Sequence, residues 1–370
     1  MLSRLETQYL QIVKGERNGA FAHLLRLLLY PLSWIYSCII ILRNRLYRYG
    51  WLKSYTPDAS CIISIGNIVA GGTGKTPVTI KLAKEFLDIA PVAILSRGYR
   101  SHAEHLATPL TLSKGRGPEY PVSLCGDEPF LMAKKLPEAH LFVGKNRSEA
   151  AKMAVRAGAK LLILDDGMQH KQLARHFDIV VLDAHDPFGQ GYFLPRGLLR
   201  EEIISLKDAH LIILNHAETP EQFSRACTLV REQTEAPIVR VRTAISSITD
   251  IASGEEVQLK GKKVGAFCGL GNPRQFIETV KSIDADPIAT HFCGDHCEIS
   301  KKELAAFANE CRTLGAEALV CTEKDRVKLD KNVQCCLPIV CVEIQMEITD
   351  GQCYWDSFVA GVRTKVSNIA

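Results

Sequence analysis

Short, unbroken apolar runs recur along the chain, and each ends at a polar or glycine-rich turn. Residues 61–68 read CIISIGNI, and similar runs open PVAILSRGYR (91–100), HLFVGKNR (140–147), AKLLILDDGMQH (159–170), FDIVVLDA (177–184) and AHLIILN (209–215). Apolar runs of this length without alternation mark strands buried on both faces. Between them the period changes. TPVTIKLAKEFLD (76–88) spaces its apolar residues as a helix does, with Pro77 in the first turn, where a missing N–H costs little. Strands alternating with helices predict an α/β core built on a parallel, doubly wound sheet. Residues 101–122 are polar and predict a long loop.

A second, smaller α/β lobe is predicted from about residue 216. APIVRVRTAISSITDI (236–251) reads as strands that could form a ribbon between lobes. KKVGAFCGLGNPRQFIETV (262–280) reads as strand, turn and helix, and ALVCTEKDRVKL (318–329) as another strand and turn. The predicted organisation is an N-terminal segment over 1–54, a core over 55–215 and a smaller unit over 216–370 that includes the linker.

The N-terminal segment has a different texture. Residues 24–42, LLRLLLYPLSWIYSCIIIL, carry no charge from Leu27 to Leu42, a run of 16 residues. A spanning helix needs about 20. Pro31 predicts a break in the middle, and Tyr30, Trp34 and Tyr36 suit a headgroup boundary. An interfacial or hairpin-like helix fits better than a buried helix or a full span. Charge sharpens this reading. The chain has a net charge of +4, but the segment up to Ser54 has eight Lys/Arg against two acids and carries +6. A basic end on a slightly acidic body points to an anionic surface as partner. The 13 cysteines are irregularly spaced, and the first 20 residues are mixed and polar. Both predict free thiols in a reducing, cytoplasmic compartment.

NIVAGGTGKTP (67–77) follows the first strand of the core and opens its helix. A phosphate-binding loop reads G-x-x-x-x-G-K-[ST], and here Val69 stands where the leading glycine belongs. The rest of the signature is present. Gly71, Gly72, Thr73 and Gly74 form a turn whose N–H groups can cradle phosphate at a helix N-terminus. Lys75 would reach the β- and γ-phosphates, and the Thr76 hydroxyl would hold Mg²⁺. LLILDD ends a strand in Asp165 and Asp166, as a Walker-B strand does, and one of these carboxylates would complete the Mg²⁺ shell. The predicted fold is therefore P-loop NTPase-like.

Other candidates are weaker alone. Asp127 and Glu128 precede Pro129, and paired acids there often only cap a helix. HFCGDHCEIS gathers His291, Cys293, Asp295, His296 and Cys297, but no Cys-x₂-Cys pair elsewhere supports zinc. A His beside an Asp could serve proton transfer instead. Arg97, Arg100, Arg147, Arg196 and Arg200 follow predicted strands or turns, where a doubly wound sheet builds its site. CTEKD (321–325) fails the [NT]-K-x-D spacing that reads guanine, and GLGNP fails G-x-G-x-x-G at Arg274.

Taken in order, GNIVAGGTGKTP, LSRGYR, GDEP, LDDGMQH, LPRGLLRE, FCGLGNP, GDHC and TEKD resemble the tetraacyldisaccharide 4′-kinases, the lipid A 4′-kinases of Gram-negative bacteria. The resemblance covers roughly residues 55–330. It implies two α/β lobes and transfer of the γ-phosphate of ATP, with Mg²⁺, to the 4′-hydroxyl of a tetraacylated disaccharide 1-phosphate. It implies work at the cytoplasmic face of the inner membrane on a lipid substrate, with no nucleic acid and no obligate protein partner. Residue by residue, it implies Asp127 and His296 as a catalytic dyad aided by Lys75 and Arg200. Asp165 and Asp166 would lie near Mg²⁺, and Arg97, Arg147 and Glu128 would meet the substrate. Cys297 departs from the family's D-H-[HY] pattern. A P-loop switch protein and a passive nucleotide-binding module are the competing classes.

Overall fold

The computed structural model describes residues 2–217, 219–271, 273–294, 297–329, 333 and 335–367. Its strands are β1 (Cys61–Gly66), β2 (Val92–Ser96), β3 (Leu110–Lys114), β4 (His140–Val143), β5 (Leu161–Asp165), β6 (Phe177–Asp183), β7 (Leu211–Asn215), β8 (Ile238–Asp250), β9 (Lys263–Cys268), β10 (Asp286–Phe292), β11 (Ala318–Thr322) and β12 (Ile339–Asp350). The helices are α1 (Leu2–Val13), α2 (Ala20–Arg48), α3 (Lys75–Lys84), α4 (Val122–Cys125), α5 (Asp127–Lys135), α6 (Arg147–Arg156), α7 (Pro220–Arg231), α8 (Pro273–Lys281), α9 (Lys301–Thr313), α10 (Glu323–Arg326) and α11 (Gln352–Ser367).

All of these strands join one mixed sheet, in the order β10-β9-β11-β12-β8-β7-β6-β1-β5-β2-β4-β3. Every residue of β1, β2, β5 and β7 is buried, which is why their sequences are apolar without alternation. β1 lies between β5 and β6, both parallel to it, with Ile63 opposite Ile163 and Phe177. Helices cover both faces. Ile63 and Ile65 enter a core shared with α3, α5 and α11, whereas Ile62 enters one shared with α6. The carboxyl ends of the parallel strands therefore open onto one edge, and the candidate residues gather there.

Residues 101–122 are not simply a loop. They contain β3, which pairs antiparallel with β4 at the edge of the sheet. An edge strand is bonded on one side only and needs no continuous apolar run, so LTLSK gives little strand signal.

β8 changes partner along its length. Ile238–Arg240 run parallel to β7, and Arg240–Asp250 then run antiparallel to β12. The inter-lobe ribbon read from the sequence is thus β8 with β12, inside a continuous sheet. The cores run across residue 216, where a second unit was expected to begin. Ala226, Val230 and Ile238 pack in the larger lobe, with Val180 of β6 and with Ile212 and Leu214 of β7. Trp355, Val359, Val362 and Val366 of α11 pack against Leu82 and Phe86, again in the larger lobe. The Trp355 indole also donates to Glu85 Oε1 at 3.2 Å. The smaller lobe keeps its own cores around β9, β11 and β12.

α2 runs unbroken for 29 residues with Pro31 inside it, so the expected break is absent. It is about 43 Å long at 1.5 Å per residue. The helical hairpin forms earlier, between α1 and α2. Arg26 closes it by donating to the carbonyls of Ile12 (2.9 Å) and Arg17 (3.0 Å). One face of α2 docks on the 192–208 segment. Ser33 donates to the Phe193 carbonyl at 2.6 Å, and Arg43 pairs with the buried Glu201 at 2.7 Å. Much of the rest is open: Phe21, Leu27, Leu28, Ile35, Ile39 and Leu42 are exposed, and Trp34 is 64% exposed.

Candidate active site

The loop between β1 and α3 answers the question that Val69 raises. Val69 forms a β-bridge with Leu199, Ala70 N–H donates to the Leu198 carbonyl (2.7 Å), and Arg200 N–H donates to the Ile68 carbonyl (2.7 Å). Val69 is thus paired as in a short strand, between bends at Ile68 and Ala70. Val69 is not among the residues with positive φ, so no glycine is needed there, and its buried side chain packs with Leu198, Leu199 and Met168. The freedom of glycine is needed further on. Gly71 and Gly74 have φ of 126° and 89°. A Cβ at Gly74 would stand 2.3 Å from Asn215 Nδ2, which donates to the Thr73 carbonyl at 3.1 Å. Gly74 caps α3, so Lys75 and Thr76 occupy its first turn, the positive end of the helix dipole.

The 198–201 segment also delivers Arg200 to the loop. Its guanidinium donates to Asp166 (2.8 and 3.3 Å), to Asn67 Oδ1 (2.9 Å) and to Gln169 Oε1 (2.8 Å). Lys75 Nζ lies 3.5 Å from the same Asp166 oxygen. Burial alone would raise Asp166, but Lys75 and Arg200 outweigh it and hold the carboxyl well below its usual range. Asp165 sits deeper, accepting from Ser96 (3.1 Å) and Thr79 (3.4 Å). Burial, with Glu128 and Asp166 nearby, pushes its pKa up to about 6. Two neighbouring carboxylates are thus driven apart, one firmly ionised and one near its titration point.

Arg147 is 3% exposed. It donates to the carbonyls of Gly144 (3.3 Å) and Asp165 (3.0 Å), tying the ends of β4 and β5 together. Burial draws its pKa down to about 10. Arg97, whose side chain is 45% exposed, pairs with Glu104 at 2.7 Å. Asp127 and Glu128 open α5. Asp127 is buried, accepts from the Glu128 N–H (2.9 Å) and pairs with Lys328 (2.9 Å). Glu128 pairs with Lys324, which holds its carboxyl below the ordinary range. α5 packs against α3, the helix that the phosphate loop opens, and the charges of Lys75 and Asp165 act on Glu128.

Residues 25–360 match the family model described as tetraacyldisaccharide-1-P 4′-kinase. The chain belongs to that family. It is 35% identical over 349 residues to the tetraacyldisaccharide 4′-kinase of Halothermothrix orenii, covering 90% of both chains. It is 39% identical over 296 residues to that of Anaeromyxobacter dehalogenans, covering 78% of this chain and 77% of the relative. The crystal structure of LpxK from Aquifex aeolicus in complex with ATP superposes with a TM-score of 0.73 at 27% identity, covering 91% of this chain and 99% of that one.

Against this family, the expected site residues divide. Lys75, Thr76, Asp165, Asp166 and Arg200 converge on the carboxyl edge of the sheet, beside Gly71–Gly74. Arg147, expected to meet a substrate, is buried and donates from two N–H groups to the Gly144 and Asp165 carbonyls. His296 and Asp295 lie outside the described residues, so the expected dyad has only Asp127 in view. No group of three or more metal-ligating side chains occurs among the described residues. Sequence reasoning missed Asn67, whose buried amide links Thr73 (3.2 Å) and Arg200. It also missed Gln169, Asn215 and Lys328, and weighed Lys324 only within a guanine-reading motif that fails. Asn67 and Gln169 do lie within the quoted motifs.

Val69→Gly, which restores the usual loop signature, is expected to destabilise the protein by about 2 to 4 kcal/mol without tightening ATP binding. Urea unfolding and nucleotide titration check this, and an unchanged midpoint would contradict it. A second expectation follows from Asp165. Its folded pKa lies above the ordinary 3.8, so its ionisation costs stability as pH rises through about 6. Asp165→Asn should therefore melt higher than the parent in EDTA at about pH 8, and the gap should shrink at about pH 5. A gap that widens on acidification would contradict the assignment.

Proposed function

We propose that this chain transfers the γ-phosphate of ATP to the 4′-hydroxyl of a tetraacylated disaccharide 1-phosphate, at the cytoplasmic surface of the inner membrane. The observation that carries this reading is the shared 192–208 segment. One end of it receives the apolar helix α2, and the other pairs with the phosphate loop and places Arg200. A phosphate site and an exposed apolar helix are thus mounted on one piece of chain, as a kinase of lipid substrates requires. The names of the relatives and the ATP in the Aquifex aeolicus structure support the same chemistry.

Phosphoryl transfer depends on positioning and charge neutralisation more than on covalent chemistry. The loop N–H groups of Gly71–Gly74 and the start of α3 bind phosphate oxygens. Lys75 and Arg200 neutralise the charge on the transferring group. Two arginines have a donor to spare, since Arg200 Nε and Arg147 Nε have no hydrogen-bond partner among the described residues. The Thr76 hydroxyl and the carboxylates of Asp165 and Asp166 are hard oxygen donors that would hold Mg²⁺, which when bound would supply further neutralisation of phosphate charge. Asp127 with His296 takes the 4′-hydroxyl proton. Glu128 and Arg97 line the approach of the acceptor.

The apolar, exposed face of α2 and its basic flank seat the enzyme at an anionic bilayer, where the acyl chains of the acceptor already lie. The helix is long enough to enter the bilayer deeply, and Arg43 and Arg48 remain with the protein at its C-terminal end through Glu201 and Asp208.

Incubation with γ-labelled ATP and tetraacyldisaccharide 1-phosphate in detergent micelles should yield a labelled bisphosphorylated lipid. Lys75→Ala should lower the rate by about 100-fold or more, and GTP should be a poor donor. Nucleotide binding with no labelled lipid would contradict the proposal and favour a switch or a passive binding module.

A further inference from the structure

TEKD, residues 322–325, fails as a guanine-reading motif. The structure places it against α5. Lys328 Nζ lies 2.9 Å from Asp127 Oδ2, with side chains only 9% and 5% exposed. Lys324 pairs with Glu128, and Glu323 pairs with Lys135 at the far end of the same helix. Lys135 and Glu323 are also fastened to the backbone of β12, at the Ile344 carbonyl (3.1 Å) and N–H (3.0 Å). Both ends of α5, a helix of the larger lobe, are thus gripped by one short segment of the smaller lobe.

The segment is itself held rigid. Thr322 caps α10, its hydroxyl donating to Asp325 Oδ2 at 2.6 Å. Asp325 Oδ1 accepts from the Gly269 N–H at 2.8 Å, which ties TEKD to the FCGLGNP turn. Lys328 also reaches the Cys297 carbonyl at 3.5 Å, and Cys297 directly follows His296 in the chain. One ammonium therefore bridges the Asp127 carboxylate and the Cys297 carbonyl.

We propose that Lys328 and Lys324 are positioning residues for phosphoryl transfer, fixing the orientation of Asp127 and Glu128 relative to the acceptor. The inference rests on the reading of Asp127 as part of the proton-accepting pair. Stability alone is a poor reason for these contacts. A buried ion pair gives back most of its attraction in desolvation, and apolar side chains of similar size would join the lobes as well. What apolar side chains cannot do is grip the Asp127 carboxylate and pin its oxygens. Oδ1 is taken by the Glu128 N–H and Oδ2 by Lys328, so the carboxylate cannot turn.

The test is steady-state kinetics in micelles with Lys328→Met, Lys328→Arg, Lys324→Met and Asp127→Asn, alongside ATP affinity from a fluorescent analogue. Arg242→Met, which breaks an exposed pair with Glu347 between β8 and β12, serves as a control expected to behave as the parent. Lys328→Met should lose at least about tenfold in kcat with ATP affinity within about twofold, and Lys328→Arg should recover most of the loss. Lys324→Met should show the same split, and it decides the matter if Lys328→Met does not fold. Parent-like kcat in the lysine variants, with Asp127→Asn inactive, would overturn the positioning role and leave the reading of Asp127 standing. Full activity in Asp127→Asn would overturn that reading itself. Loss of ATP affinity together with kcat, without rescue by arginine, would reduce the lysines to structural props and also overturn the inference.

Discussion

The main-chain bonds that tie Ile68 and Ala70 to residues 198–200 fix the geometry from which the rest of the site follows. They hold Val69 in a strand-like pair, so the turn that needs glycine begins only at Gly71. They also bring Arg200 to Asp166, Asn67 and Gln169 in one step. Each such bond contributes only about 1 kcal/mol net. Their effect comes from position, because the same segment is the seat of α2 through Phe193 and Glu201. The apolar helix and the phosphate loop are therefore two sides of one structural unit.

A second constraint acts through the sheet. β8 begins as a parallel strand of the larger lobe and ends as the antiparallel partner of β12. A single strand with two partners lets the smaller lobe bring TEKD onto α5 without a separate linker. The last helix, α11, then returns to the larger lobe and buries Trp355 beside Phe86. The lobes are joined by the sheet, by the α5 ion pairs and by α11, and the site lies among these three connections.

Much of this was legible in the sequence where burial is two-sided. β1, β2, β5 and β7 are buried throughout, and their unbroken apolar runs say so. β3 escaped notice because an edge strand needs no such run. Pro31 suggested a break, yet in a long apolar helix a single lost N–H bond did not end it. α11 carries Trp355, Val359, Val362 and Val366 at helical spacing, but spacing names no partner, and its docking on the larger lobe was not readable. Lys75, Thr76, Asp165 and Asp166 could be named as candidates because they stand in local motifs beside their strands. Arg147 was named from its position after a strand, which does not reveal its burial or its bonds to the Gly144 and Asp165 carbonyls. The pairing of Lys324 and Lys328 was not readable because their partners lie far away along the chain, and only the fold brings the two segments together.

The most direct test of the account is a crystal structure of this chain with Mg²⁺ and a non-hydrolysable β,γ-methylene analogue of ATP. The account requires the β- and γ-phosphates to lie against the N–H groups of Gly71–Thr76, Lys75 Nζ and Arg200, with Val69 still paired to Leu199. A nucleotide bound elsewhere, or a loop that leaves the 198–201 segment to receive it, would contradict the claim that this pairing builds the site.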